Sequence, residues 1–343
     1  TTAATNLAAF LSLCGYRVTF IDLDPQRSAT EQLWPENPEY LPYLSLGDSV
    51  YQVLSPMIKD EDRKTLSEIS LQTAWTNLKL VPACLMQDKL NTEMTILANQ
   101  VSSNQKVVED LQIIIGDMTE ISSKDALLIV GNVKEEMDRK TRESRYRHWE
   151  ALDNEINKLE DVDIVIIDCQ PSINPMTLNA VYTSDILCMP VTASMLDVSS
   201  YDQFLNSMAN QFKGIGEISG SKYIIPRILI SNYDGLVLDK ADGDLYDQLN
   251  SSTASTKSVA NKDTLIRTFM QSNLGDYLIN QPILRSDATK ESTNHFKTVF
   301  ELDLDELDGE GKKKHTVAPT TLKRSTDSFE NFGLEIRELI ESI

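Results

Sequence analysis

Alternating strand and helix patterns predict an α/β fold with a doubly wound, mostly parallel sheet for this 343-residue chain. The clearest strand is residues 162–167 (VDIVII), a continuous apolar run of the kind found in a sheet covered on both faces. A second run, residues 17–21 (RVTFI), is rich in β-branched and aromatic residues. Each run is followed directly by an aspartate, which places an acid at the end of both strands.

The remaining elements follow from hydrophobic spacing and from turn residues. Residues 1–13 predict a largely buried helix that ends before Gly15. Further predicted elements are, in order, a helix near 49–58, a strand at 78–81, amphipathic helices over about 91–132, a helix at 145–159, strands at 186–191, 223–231 and 277–279, and a helix at about 325–343. We interpret residues 1–343 as one domain with a helical insertion at about 91–144 and a C-terminal helical region at about 285–343.

Composition limits the partners that the chain can have. The formal net charge is −20 and the pI is about 4.6, so any contact with DNA must be local. The stretch 285–324 is relatively the richest in cations, with eight basic and eight acidic residues. No basic leader and no apolar run of about 18 residues is visible, and the four cysteines are widely spaced. We therefore expect a cytoplasmic protein with reduced thiols and no membrane partner.

The two strand-terminal acids, Asp22 and Asp168, predict one ligand crevice, because ligands of open parallel sheets bind at the carboxyl ends of strands. The segment VIIDCQPS has the form of a Walker B element, whose carboxylate holds Mg²⁺ in P-loop proteins. An aspartate after a strand is also a common turn residue or helix cap. The glycine-rich lysine loop that normally accompanies Walker B is absent from these residues.

Longer segments resemble the ParA/MinD family of deviant Walker ATPases, a group with the P-loop NTPase fold. TTAATNLAAFLSLCGYRVTFIDLDPQRSAT is similar to the family just after its phosphate loop, and VDIVIIDCQPSINPMTLNAVYTSDILCMPV is similar to its Walker B region. LKLVPACLMQDKLNTE and RSDATKESTNHFKTVFELD resemble segments of the plasmid-partition branch, including its RepA-like members. The resemblance implies a chain truncated before residue 1, without its N-terminal region and phosphate loop.

The resemblance also assigns roles residue by residue. Thr1 corresponds to the threonine that binds Mg²⁺ and ATP, and Thr2 to its neighbour near the α-phosphate. Asp24 corresponds to the carboxylate that positions the attacking water and is the candidate catalytic residue. Asp22 is expected near the metal, and Asp168 is the Walker B acid. From sequence alone, Thr1 could equally be a helix N-cap.

Two further residues, Asn232 and Pro282, occupy positions where related proteins contact the adenine. Asparagine and proline at strand ends are also ordinary turn residues, so both interpretations stay open.

The family resemblance implies a DNA partition protein that acts as an ATP-switched homodimer on non-specific DNA, associated with the nucleoid, with a ParB-like centromere-binding partner. The weak candidates for DNA contact are Arg285, Lys290, Lys297, Lys323 and Arg324. The run 312–314 could also touch phosphates or simply be solvated.

Two other functions remain possible from the sequence. One is an ATP-dependent ligase or synthetase on the same fold, and the other is a degenerate DNA adaptor that does not hydrolyse ATP. We expect a protein with the phosphate loop to convert ATP to ADP and phosphate, whereas the chain as given should be inactive. His148, His295 and His315 lack metal-ligand spacing and are expected at the surface, without a zinc site.

Overall fold

The structure is a computed structural model of the chain. It describes residues 1–34, 48–55, 58–83, 88–96, 150–192, 224–233, 275–306 and 312–343. The part of the chain that the structure describes contains a mixed α/β arrangement with six strands.

The strands are β1 (Val18–Asp22), β2 (Leu71–Gln72), β3 (Leu78–Val81), β4 (Ile164–Asp168), β5 (Ile186–Val191) and β6 (Ile225–Ile230). The helices are α1 (Thr2–Leu13), α2 (Ser28–Leu33), α3 (Val50–Leu54), α4 (Leu66–Ile69), α5 (Ala151–Ile156), α6 (Pro175–Thr183), α7 (Asp287–Asn294) and α8 (Pro319–Glu341). Residues 88–96 are also helical.

The four-stranded sheet has the order β2-β3-β1-β4, and β5 pairs with β6 in a second sheet. β1 is parallel to both β3 and β4, β5 is parallel to β6, and the two-residue strand β2 runs antiparallel to β3. Non-consecutive parallel neighbours require crossover connections, which is the doubly wound pattern that the sequence predicts. The predicted fold class is therefore confirmed.

β1 shows why both faces of the sheet are covered by helices. Val18 and Phe20 join the apolar cluster that includes Phe10 and Leu11 of α1. Ile21 packs in a different cluster, with residues of α3, α5 and α6. Because successive side chains of a strand point to opposite faces, β1 contributes to two cores. This central position fixes the carboxyl end of β1 firmly.

α8 packs against α1 and against the second sheet. Phe329, Phe332 and Ile336 of α8 are buried in a cluster that includes Leu229 of β6. Where α8 meets α1, a Cβ atom added at Gly333 would lie 2.2 Å from Cδ1 of Phe10. Glycine at this position thus permits the close approach of the two helices.

Most described strands and helices lie where the sequence predicts them, and β3 and β5 have the predicted bounds. The expected strand at 277–279 is wrong: Gly275–Tyr277 form a 3-10 turn, and only an isolated bridge joins Leu278 to Ile228 of β6. The last helix begins at Pro319, where the fixed φ of proline suits a first helical turn.

The predicted insertion at about 91–144 lies outside the described residues except for 91–96, which are helical. Within the described ranges, every helix is too short or too polar to cross a bilayer.

Candidate functional site

The residue that precedes α1 contacts the residue that ends β4. The Thr1 hydroxyl donates a hydrogen bond to Oδ2 of Asp168 over 2.7 Å. Thr1 occupies the N-cap position of α1, but its side chain makes no capping hydrogen bond. The hydroxyl is therefore directed at the carboxylate instead of the helix backbone, which argues against the simple N-cap interpretation.

Asp22 and Asp168 end adjacent parallel strands in register, so their Cα atoms are paired across the sheet. Asp22 is fully buried, and its carboxylate accepts hydrogen bonds from the backbone of Asp24 and from both the backbone and hydroxyl of Thr30. Burial, followed by the charge of Asp168, raises the pKa of Asp22 to about 7. These hydrogen bonds fix the conformation of the turn that follows β1. A metal-binding role for Asp22 stays a prediction.

Asp24 lies in the turn between β1 and α2 and is partly exposed. Its Oδ1 atom accepts the backbone N–H of Gln26 over 2.9 Å, and its carbonyl accepts the N–H of Arg27. Burial and then the negative charges of Asp168, Asp22 and Asp24 raise the pKa of the Cys169 thiol. All three carboxylates therefore act on the same small region at the strand ends.

The N-terminus of α1 faces this region because Thr1 adjoins the end of β4. Thr2 is the first residue of α1, and its carbonyl accepts the side-chain N–H of Asn6. The first backbone N–H groups of a helix lack partners inside the helix and carry roughly half a positive charge. An anionic group such as a phosphate is stabilised at such a position.

Asn232 and Pro282 lie at the carboxyl end of β6, on two neighbouring stretches of chain. The N–H of Ile283 donates to the carbonyl of Ile230, and the N–H of Tyr233 donates to the carbonyl of Ile283. Asn232 is exposed and has a left-handed backbone with φ of 54°. The two predicted adenine contacts are therefore near each other, although their role stays a prediction.

The predicted DNA contacts divide into two groups. Arg285 and Arg324 line one open pocket together with Ser286, Asp287, Thr320 and Thr321. Lys323 is exposed beside Arg324.

The two lysines of this set that lie on or after α7 have acidic neighbours. The Lys290 ammonium lies 4.0 Å from a carboxylate oxygen of Asp287, and that of Lys297 lies 2.8 Å from Oε2 of Glu306. Lys297 is therefore already engaged within the C-terminal region.

The expectation that the histidines are surface residues is wrong for His315. Its side chain is 0% exposed, and it lies against His295, with ring centroids 4.6 Å apart. Together with Glu291, these two histidines form a group whose ligand atoms lie within 4.8 Å of one another. The spacing of Glu291 and His295, four residues apart at the end of one helix, is the available sequence signal. His148 lies outside the described residues.

Thr30 is a further residue that sequence reasoning does not identify. Its hydroxyl donates to Asp22 and accepts the N–H of Ala83, so one side chain joins the turn after β1 to the end of β3. A threonine at the start of a short helix gives no sequence signal for such a role.

The fold, two acid-terminated adjacent strands and a helix N-terminus directed at them are the arrangement expected of the P-loop NTPase fold. Two overlapping matches to the family model described as "AAA domain" (AAA_31) cover residues 1–121 and 99–215, which is more than half of the chain. The chain belongs to this AAA-domain family, and the comparisons support its resemblance to the ParA/MinD group of partition ATPases.

A relative supports this placement. The chain is 24% identical over 343 residues to the "Putative replication protein A" of Sinorhizobium fredii, a match that covers 100% of the chain. The chain spans 65% of the length of that relative.

Solved structures share the fold. A putative plasmid partition protein from Borrelia burgdorferi B31 bound to AMPPNP matches with a TM-score of 0.54 and 15% identity, over 98% of this chain and 93% of that chain. Cobyrinic acid a,c-diamide synthase from Mycobacterium smegmatis with a bound ATP analog and magnesium matches with a TM-score of 0.50 and 18% identity, over 86% and 84% of the two chains.

Proposed function

We propose that this chain is the ATPase part of a DNA partition protein, in which ATP with Mg²⁺ binds at the carboxyl ends of β1 and β4. The observation that carries the proposal is the 2.7 Å contact between the Thr1 hydroxyl and the Asp168 carboxylate. Hydroxyl and carboxylate oxygens are the ligands that Mg²⁺ prefers, and the helix N-terminus beside them suits phosphate groups. The residues present therefore fit a magnesium nucleotide.

In this proposal, Thr1 and Asp168 would hold the magnesium ion, and Thr2 would lie beside the phosphates of the nucleotide. Bound magnesium would supply neutralisation of the charge on those phosphates. Asp24, partly exposed in the adjacent turn, orients a water molecule and accepts its proton at a carboxylate oxygen. Asn232 and Pro282 flank the base.

The proposal extends to partners. The protein acts as a homodimer that binds non-specific DNA when ATP is bound, and a ParB-like centromere-binding protein triggers its release. Because the net charge is −20, contact with DNA must be local, and the pocket lined by Arg285 and Arg324 is the strongest candidate for it. The protein is expected in the cytoplasm, associated with the nucleoid.

The test measures ATP binding and DNA-stimulated turnover by the protein made from its complete gene, in wild type and Asp24→Ala. We expect Asp24→Ala to lower turnover by at least 100-fold while ATP affinity changes by less than about fivefold, since general-base and positioning effects are typically 10²- to 10⁴-fold. Asp62→Ala, which removes an exposed acid elsewhere, is the matched control and should leave turnover unchanged. Equal turnover in wild type and Asp24→Ala would refute the role of Asp24.

The fold shared with the diamide synthase favours one rival, an ATP-dependent ligase. The two functions differ in their products. A partition ATPase releases ADP and phosphate without an organic co-substrate, whereas a ligase turns over only when a carboxylate and an amine donor are supplied. Nucleotide binding without any turnover would instead indicate a non-hydrolysing DNA adaptor.

A further inference from the structure

Three side chains with metal-ligating atoms meet at the end of α7. Glu291 lies on α7 and His295 follows its last residue, one helical turn on, while His315 comes from the segment before α8. Oε1 of Glu291 lies 3.3 Å from Nδ1 of His315 and 3.5 Å from Nε2 of His295. One carboxylate oxygen is thus approached by a ring nitrogen of each histidine.

These separations suit a tetrahedral metal ion. Zn²⁺ binds histidine nitrogen and carboxylate oxygen at about 2.0–2.2 Å, so two ligand atoms of a tetrahedral site lie roughly 3.3 Å apart. The distances from Glu291 to the two histidines are 3.3 and 3.5 Å, and the complete group lies within 4.8 Å. Two of the three ligand separations therefore already match those of a tetrahedral site.

A second carboxylate orients the buried histidine. Oε2 of Glu306 lies 3.4 Å from Nε2 of His315, on the ring atom opposite to the one that faces Glu291. The same carboxylate accepts hydrogen bonds from the Lys297 and Lys314 ammonium groups, over 2.8 and 2.7 Å. A carboxylate that accepts the other N–H of a ligating histidine is the usual arrangement around protein-bound metals.

The two ring nitrogens of His315 therefore face two different carboxylates, Nδ1 towards Glu291 and Nε2 towards Glu306. A cation bound beside Nδ1 would be attracted by the Glu291 carboxylate. His315 is fully buried, whereas the Glu291 and His295 side chains are 20% and 29% exposed and leave a route from solvent.

We propose that Glu291, His295 and His315 bind one divalent transition-metal ion of the Zn²⁺ class, with Glu306 as the residue that orients His315. Mixed imidazole and carboxylate ligands favour such ions over Mg²⁺. Three protein ligands leave one coordination position for water. Such an ion would join the end of α7 to the segment that leads into α8. This site goes beyond the proposed ATPase function and does not depend on it.

The test is a titration of chelator-treated protein with Zn²⁺, in which a fluorescent zinc indicator competes with the protein for the ion. The buffer contains excess Mg²⁺ and no nucleotide. Wild type is expected to bind one equivalent, and Co²⁺ in its place should give the visible absorption of a tetrahedral ion. Glu291→Gln and His295→Gln should each weaken Zn²⁺ binding by at least 10-fold, because each removes a ligand. Glu306→Gln should weaken it by about 10-fold, because Glu306 orients the ligand His315.

His148→Gln removes the one histidine of the sequence that lies outside the proposed site. It is the matched control, for which unchanged Zn²⁺ affinity is expected. His295 is partly exposed, so His295→Gln should fold, which circular dichroism checks without metal. Zn²⁺ should also raise the Tm of wild type and of His148→Gln but not that of His295→Gln. The proposal is overturned if wild type binds no Zn²⁺ at tens of micromolar, or if His295→Gln and Glu291→Gln bind it as tightly as wild type.

Discussion

The hydroxyl of Thr1 donates to the carboxylate of Asp168 over 2.7 Å, which joins the start of α1 to the end of β4 across 167 positions of sequence. Asp168 is itself 7% exposed, so little water can replace this donor. The contact places both candidate magnesium ligands at one point of the sheet edge. It also explains why the Thr1 side chain does not cap α1.

Thr1→Val keeps the shape of the side chain but removes the hydroxyl that contacts Asp168. We expect Mg²⁺-dependent ATP affinity to fall by roughly 10- to 100-fold in the protein made from its complete gene, as when a ligand or its support is lost at a metal site. Isothermal titration with ATP in Mg²⁺ and in EDTA measures the effect. Thr1→Ser, which restores the hydroxyl, should bind ATP like wild type, and equal weakening in both variants would disprove the hydroxyl's role.

The buried carboxyl of Asp22 predicts a pH dependence of stability in the absence of metal and nucleotide. Because its pKa of about 7 in the folded protein exceeds the ordinary 3.8, its contribution is fully present below about pH 3.8 and is lost as pH rises through about 7. The free energy of unfolding of wild type relative to Asp22→Asn should therefore fall from pH 5 to 7.5, by at most about 1.4 kcal/mol for each pH unit.

Urea denaturation at a series of pH values measures this difference between wild type and Asp22→Asn. Asp62→Asn, at an exposed acid, is the control and should give a constant difference over the same range. A constant difference for Asp22→Asn as well would mean that Asp22 is ionised in the folded protein throughout.

Sequence alone predicted the sheet and the convergence of Asp22 and Asp168, because strand ends of a parallel sheet share one edge. The pairing of Thr1 with Asp168 depended on family motifs, since no local pattern relates residues so far apart. Packing between different segments produces two other contacts: the hydrogen bond from Thr30 to Asp22 and the contact between His315 and Glu291. Periodicity and turn signals describe neighbouring residues only, so such contacts required the three-dimensional structure.

The contact between α1 and α8 predicts an overpacking variant. In Gly333→Ala the new methyl group would lie 2.2 Å from Phe10, so the two helices must separate or the ring must move. We expect a loss of about 1–3 kcal/mol from overpacking, which outweighs the ~1 kcal/mol that alanine gains over glycine in a helix. Thermal and urea denaturation measure it.

Asn331→Ala on the exposed face of the same helix is the control for helix propensity and should not destabilise the protein. Combining Gly333→Ala with Phe10→Leu should cost less than the sum of the two single changes, because the smaller side chain makes room. Strict additivity of the two would show that Phe10 is not what the new methyl group meets.

The pocket lined by Arg285 and Arg324 predicts how DNA affinity depends on salt. If both guanidinium groups contact phosphates, each neutralises about one charge, and each contact adds about 0.9 to the slope of log K against log salt on duplex DNA. The double variant Arg285→Ala/Arg324→Ala should lower that slope by about 2 and weaken binding equally for unrelated sequences. Fluorescence anisotropy in ATP and Mg²⁺, at several salt concentrations, measures both quantities.

Lys79→Ala, at an exposed lysine of β3, removes a positive charge far from α7 in sequence and should leave the slope unchanged. An unchanged slope in the double variant would instead place the DNA on another surface. A lower slope in Lys79→Ala as well would mean that a general loss of positive charge, not a local contact, is the cause.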